Sequence, residues 1–332
     1  MKTSWIAGLL IAGSLPLMAQ NPNLGTAGAT FLKLPTSARE AGLGQAAVSL
    51  MNGAEAVFVN PAGLASVKSV SVFAGYTPLW ADVHVSHWAA AWNLGDWGVV
   101  GLSAIQLGMD DMEITTEFEQ SGTGRYFGAS DLMTGLSWAR DWTDRFSVGG
   151  TVKLIHQKIW NESATAVAVD LGTVYHVGFR NMVIAMSMRH FGSDLKLEGS
   201  DLGKSGRPDP AGYPGSRQVD DYSTNGYPLP LFFQVGTSLR AWEMPGHLTV
   251  DVAAEVSHAN DNDEMIYTGT EIGLHDFVTF RGGYVFNDPD RSWSLGGGLK
   301  FTYFGFGFRM DYAWSDHEYL EPVNRMGIGL DF

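Results

Sequence analysis

The chain contains no cysteine and few charges: 17% of its 332 residues are Asp, Glu, Lys or Arg. Without thiols, a disulfide framework, a Cys-ligated metal and a cysteine-linked lipid anchor are all excluded. Basic residues are scarcer than acids, 21 against 35, for a net charge of −14. That balance argues against nucleic-acid binding. Beyond the first 20 residues, no run approaches the roughly 18 apolar residues of a membrane helix.

In contrast, 41 glycines and 12% aromatic residues fit a chain of many strands and turns. From residue 69 onward, period-two patterning gives about fourteen strands. The clearest run is 304–314. Phe304, Phe306, Phe308, Met310, Tyr312 and Trp314 share one face, opposite Gly305, Gly307, Arg309, Asp311 and Ala313. Stretches near 146–154, 231–240, 248–257 and 293–301 repeat the scheme. The early strands, near 69–77, 83–94 and 97–107, are apolar on parts of both faces, as if something packs against them from inside. A soluble sandwich turns its aromatics inward, whereas a membrane barrel turns them to lipid and its charges to the lumen. A membrane protein without helices must close its sheet, because hydrocarbon cannot satisfy free edges. The expected fold is therefore all-β, a transmembrane antiparallel up-and-down barrel over 69–332.

The links alternate. Short ones fall near 95–96, 142–144, 178–181, 243–246, 275–276 and 303. Longer, polar ones fall at 77–82, 107–130, 158–163, 192–227, 259–264, 287–291 and 315–323. Short turns on the periplasmic side and long loops outside are the sidedness of an outer-membrane barrel. An even strand count puts both chain ends in the periplasm. Most of the tryptophans fall near strand ends, at the depth of interfacial girdles.

The two ends of the chain agree with that compartment. Lys2, the apolar stretch 5–12 and Ala19 form a signal-peptide pattern over 1–19. The last strand alternates Met326, Ile328, Leu330 and Phe332 with Arg325, Gly327, Gly329 and Asp331. A terminal amphipathic strand ending on Phe332 resembles the signal that outer-membrane barrels present to their insertion machinery. Outer-membrane lipid and that machinery are the expected partners.

Residues 20–68 read differently, as an N-terminal lumenal hatch. Small residues allow close packing in a narrow bore. Asn60-Pro61-Ala62-Gly63 should form a turn. Arg39 and Glu40 can meet opposite charges on the strands. A periplasmic tail has a similar composition, but Phe31, Leu32, Leu34, Phe58 and Val59 are anchors that a free tail does not need. The runs Phe31-Leu-Lys-Leu-Pro-Thr-Ser-Ala-Arg39, Gly42-Leu-Gly44-Gln-Ala46 and Phe58-Val-Asn-Pro-Ala-Gly-Leu-Ala65 resemble the N-terminal signature of the PorV/PorQ family. That resemblance implies a FadL-like barrel of fourteen strands with a hatch in its lumen. It places the hatch motif on Arg39, Gly42, Gly44, Asn60, Pro61, Ala62 and Gly63. It implies a role in type IX secretion, as a scaffold or shuttle for secreted or surface proteins, with the loops 107–130 and 192–227 as binding surfaces. A FadL-like channel for small hydrophobic molecules is the alternative, and it should show a continuous apolar inward stripe.

Inward-facing charges are expected at Arg240, Asp251, Glu255, Arg281, Lys300, Arg309, Asp311 and Arg325, and also at Lys153, Asp170, Arg189 and Glu271. Buried charges are costly unless paired, so networks are expected. Catalysis is not. There is neither a Gly-x-Ser-x-Gly elbow nor a His-Glu-x-x-His motif. His84 and His87 fall on opposite faces of a strand, and the acidic run 261–264 reads as a solvated turn rather than a calcium loop. No cofactor or metal is expected.

Overall fold

The alternating segments form fourteen barrel strands in the structure, a computed structural model that describes residues 22–332 apart from 201, 203–205, 209–216 and 220–223. In chain order they are β1 (Val70–Pro78), β2 (Val83–Asn93), β3 (Val99–Met109), β4 (Ala129–Thr143), β5 (Phe146–Ile159), β6 (Glu162–His176) and β7 (Val183–Gly192). The second half comprises β8 (Phe232–Met244), β9 (Leu248–Ala259), β10 (Asn262–Leu274), β11 (Val278–Phe286), β12 (Arg291–Tyr303), β13 (Phe306–His317) and β14 (Val323–Asp331). Each strand pairs antiparallel with its sequence neighbours, and β1 pairs with β14 to close the ring. Closure leaves the barrel no free edge, the condition that hydrocarbon imposes on a sheet. No helix among the described residues is long and apolar enough to cross a membrane. The signal-peptide stretch 1–19 lies outside the described residues.

The two faces divide as the alternation requires. On β4, Leu132, Leu136 and Trp138 are exposed while Met133, Ser137 and Ala139 are buried. On β13, Phe306, Met310 and Tyr312 point outward, and Asp311 and Ala313 are buried inside. Lipid would cover the outward set. Trp97, Trp142 and Trp242 stand exposed at or near the short-turn end and Trp293 at the other, whereas Trp88 sits mid-strand.

Three features of the chain depart from its sequence pattern. Phe304 is not a strand residue: it lies in the turn between β12 and β13, with φ +47°. The stretches 158–163 and 259–264 are not loops. Strand pairing continues through Ile159 with Glu162 and Ala259 with Asn262, leaving two-residue hairpins. Polar residues there belong to strand ends that run past the apolar band. The two longest links, 110–128 and 193–231, do lie at the same end of the barrel, and 110–128 carries its own small hairpin of Met112–Glu113 with Tyr126–Phe127.

Even strand number does bring Val70 and Phe332 together at the short-turn end, where Phe332 N–H donates to the Val70 carbonyl at 2.8 Å. The start of the described chain is elsewhere. Gly25 N–H donates to the Asp261 carbonyl, in the β9–β10 hairpin of the long-loop end. Residues 25–67 therefore run through the ring from one mouth to the other, which strand parity alone does not register.

Candidate functional site

The N-terminal segment lies inside the ring, buried against the inner faces of the strands. The segment folds as short turns: 3-10 helices Thr30–Lys33, Ala54–Phe58 and Pro61–Ser66, and one α-helical turn, α1 (Ala38–Gly42). Ser37 caps α1 by accepting from Glu40 N–H, and the Glu40 carboxylate accepts from Thr36 N–H and Oγ1. Glu40, expected to meet a barrel charge, is thus spent within its own turn, in a reciprocal cap. Asn60 caps the last helix through Ala62 N–H, and its amide donates to the carbonyls of Val48 (3.2 Å) and of Thr173 on β6 (3.1 Å). Pro61 follows at the first helical position, where no N–H is missed.

Glycines set how closely segment and wall approach. Gly44 has φ +60°, and a Cβ on Gly283 of β11 would lie 2.1 Å from Gly44 N. On the opposite wall, a Cβ on Gly149 of β5 would lie 2.5 Å from Ala62 N. Gly42 lies against Gly296 of β12, and Gly63 against the segment's own Met51 carbonyl. The motif residues Arg39, Gly42, Gly44, Asn60, Pro61, Ala62 and Gly63 are therefore all buried contact points, spread from α1 to the last turn.

Charges complete the fastening as a closed alternating ring. The Arg39 guanidinium donates twice to Glu271 of β10, at 3.0 Å each. Glu271 also accepts from Arg281 of β11 at 2.6 Å, and Arg281 donates to Asp311 of β13 at 2.6 Å. Asp311 lies 3.1 Å from Arg309, Arg309 lies 2.6 Å from Glu55, and Glu55 lies 3.9 Å from Arg39. Three guanidiniums and three carboxylates balance, which is what makes burying them tolerable. Burial pushes the Glu55 carboxyl up, and Arg309 and Arg39 pull it back. Burial also works against the charged Arg39, but its acidic neighbours outweigh that and hold it protonated.

The other predicted lumen charges divide by depth. Glu255 is buried and accepts from the Ala47 and Val48 N–H groups of the segment and from Gln234. Arg325 is buried and donates to Ser315. Arg240 and Asp251 form a bidentate pair, at 2.6 and 3.1 Å, in the wall of a vestibule. Lys300 is corrected: although on the inward parity, it is exposed at the short-turn rim, because β12 runs on to Tyr303. Lys153 and Asp170 pair at 2.5 Å in the wall, beside His190. The acidic run 261–264 is not simply solvated, since buried Asp261 pairs with Lys33 of the segment. That pair and the Ser71–Asp331 hydrogen bond were not anticipated. Inward parity marked Asp331, but nothing local marked Ser71 or Lys33.

One sector of the lumen is apolar. Phe73, Val85, Ala89, Ile105, Met133, Ile155 and Ala166 line the inside of six consecutive strands, β1 to β6. They pack on Phe31, Leu32, Phe58 and Leu64 of the segment and on Leu195 and Leu229 of the 193–231 link. The sequence showed this stripe on three strands only. His87 lies within it, with Phe58 5.9 Å from its ring. At the short-turn end a polar vestibule of about 700 Å³ opens below the segment, lined by Asn52, Ser66, Asp141, Asn181, Arg240 and Asp251 among others. Among the described residues, no cluster of three or more His, Asp or Glu is arranged to hold a metal.

No protein-family model matches the chain, and no curated protein does. Solved structures match it along most of its length. The Pseudomonas putida toluene transporter TodX superposes with a TM-score of 0.56 at 10% identity, over 89% of this chain and 96% of its own. The CymD monoaromatic hydrocarbon channel gives 0.55 at 13% identity, over 90% and 97%. The Ralstonia pickettii toluene transporter TbuX gives 0.54 at 12%, over 89% and 96%. The fold is that of a FadL-like outer-membrane barrel. Its structural neighbours are transport channels rather than enzymes. At these identities the likeness concerns architecture alone.

Proposed function

We propose that this chain is a non-enzymatic outer-membrane conduit for small apolar molecules, with residues 20–68 as its hatch and the short turns in the periplasm. The observation that carries this reading is the apolar sector running along the inside of β1–β6 up to Leu195 and Leu229. A barrel that conducts only ions or water gains nothing from Ile, Met and Phe on its inner face. The TodX, CymD and TbuX likeness supports the same choice. The test is uptake of a radiolabelled aromatic hydrocarbon into outer-membrane vesicles with and without the protein. Faster uptake with the protein is expected. Equal rates would remove the reading.

A second reading, the type IX secretion-associated scaffold of the PorV/PorQ resemblance, draws on a different observation. The segment is bonded to the wall all round, and several of the contacts fall on motif residues of that resemblance, through the hydrogen bonds of Arg39 and Asn60 and the close approach of Gly42, Gly44 and Ala62. In that role the 107–130 and 192–227 loops would receive secreted proteins or secretion-system subunits. Phe118, 97% exposed in the first of them, is the most exposed large apolar side chain among the described residues. Photo-cross-linking from position 118 in intact cells would capture a defined protein partner under this reading and none under the first. Under either reading Phe332, exposed beside Phe306 with their rings 5.1 Å apart, would serve as the insertion signal.

A further inference from the structure

The β1–β14 seam joins residues about as far apart in sequence as this chain allows. Ser71 and Asp331 are 260 positions apart. Bringing such distant segments together is the entropically costly step of a barrel, and no neighbouring hairpin assists it. Its ladder is also short. Register pairs run from Ser71–Asp331 to Tyr76–Met326, whereas β4 and β5 pair from Ala129 to Thr143.

Residues 53–58 of the N-terminal segment contact the inner side of this seam, next to α1, which packs on β13 and β14. Ala54 N–H donates to Ser71 Oγ on β1 at 3.0 Å, and Ser71 O–H donates to Asp331 of β14 at 2.7 Å. Glu55 pairs at 2.6 Å with Arg309 of β13. The Arg309 side chain crosses over β14 to reach it, since a Cβ on Gly329 would lie 3.1 Å from Arg309 Nη2. Phe58 packs edge-on to Phe73 of β1, ring centroids 6.4 Å apart, and to His87 of β2. The Phe73 ring lies over the register pair Gly75 and Gly327, where a Cβ on either would come within 3.1 Å of it. This single six-residue turn thus holds β13, β1 and β2 directly and β14 through Ser71.

We propose that residues 53–58 clamp the β1–β14 seam from inside, and that the barrel closes its last strand pair on them. A filler would need only volume. Here a hydrogen-bond relay crosses the seam and a charged pair spans the strand beside it, so the turn acts on closure itself. The proposal does not depend on what the barrel carries.

The test is hydrogen exchange by mass spectrometry on the refolded, detergent-solubilised full-length chain. Glu55→Gln and Ser71→Ala remove the pair and the relay. Both should raise exchange in 70–78 and 323–331 by about tenfold or more while β4 and β5 stay protected. Glu255→Gln, which loosens the segment from β9 far from the seam, should leave the seam amides unchanged. Equal exchange at the seam in wild type and both variants would overturn the proposal, as would a rise spread evenly round the ring. If Glu55→Gln does not refold, the seam can be closed covalently. Ala74 and Ile328 are register partners on the outer face, and the chain has no other thiol. Ala74→Cys with Ile328→Cys should restore folding to Glu55→Gln, and failure to do so would equally contradict a seam-specific role.

Discussion

At the residue scale, pairing decides what the lumen tolerates. Arg39 is 8% exposed and meets two acids, so removing it leaves a buried carboxylate short of a partner. Arg39→Gln should cost about 3–5 kcal/mol of unfolding free energy, read from urea titration in detergent. Adding Glu271→Gln should recover part of that loss, because the two side chains share one interaction. A wild-type midpoint for the single variant would mean that the ring is ornamental. Gly283 is the steric counterpart. Its missing Cβ would lie 2.1 Å from a backbone nitrogen, not from a flexible tip. Gly283→Ala should therefore shift the segment or the wall and destabilise by about 1–3 kcal/mol, whereas Gly297→Ala, with only the Thr279 carbonyl at 3.6 Å, should be mild by the same measurement.

At the element scale, alternation was enough to place most strands and both faces of β13. It was enough because lipid outside and a filled lumen inside impose opposite demands on neighbouring residues. It failed where that contrast fades. Residues 158–163 and 259–264 lose the alternation and are mostly polar because they stand clear of the apolar band, so they resemble loops although their strands stay paired up to two-residue turns. Phe304 continued the aromatic face of β13 by parity although it begins that strand's turn. The segment's motif was legible through the family resemblance, and its small residues marked close packing, but its partners were not legible. Glu271, Glu255 and Thr173 lie more than a hundred residues from the groups they hold. The apolar sector was half visible, since Met133 and Ile155 are single large apolar residues among small or polar inward residues on their own strands. Topology offers a further prediction. A protease site inserted at Glu119, in the link 110–128, should be cut on intact cells. One inserted at Asp96, in the turn between β2 and β3, should be cut only after the outer membrane is opened. The reverse pattern would invert the barrel.

At the scale of the whole molecule, a closed ring encloses its own N-terminal segment, apolar against β1–β6 and charged against β10–β13. The segment contributes core to a sheet that would otherwise enclose water. A chain lacking residues 25–66 should accordingly lose the resistance of the folded barrel to unheated SDS, and a fully resistant truncated barrel would show that the wall stands without it. The claim beneath all of these is that the outward face of every strand lies in lipid and the inward face does not. A nitroxide scan along β4 in a lipid bilayer tests it most directly. Labels at Leu132, Thr134, Leu136 and Trp138 should be open to dissolved oxygen, and labels at Met133, Gly135, Ser137 and Ala139 shielded, with a period of two. Oxygen access without that period, or access of a water-soluble quencher to the Leu136 position, would contradict the account.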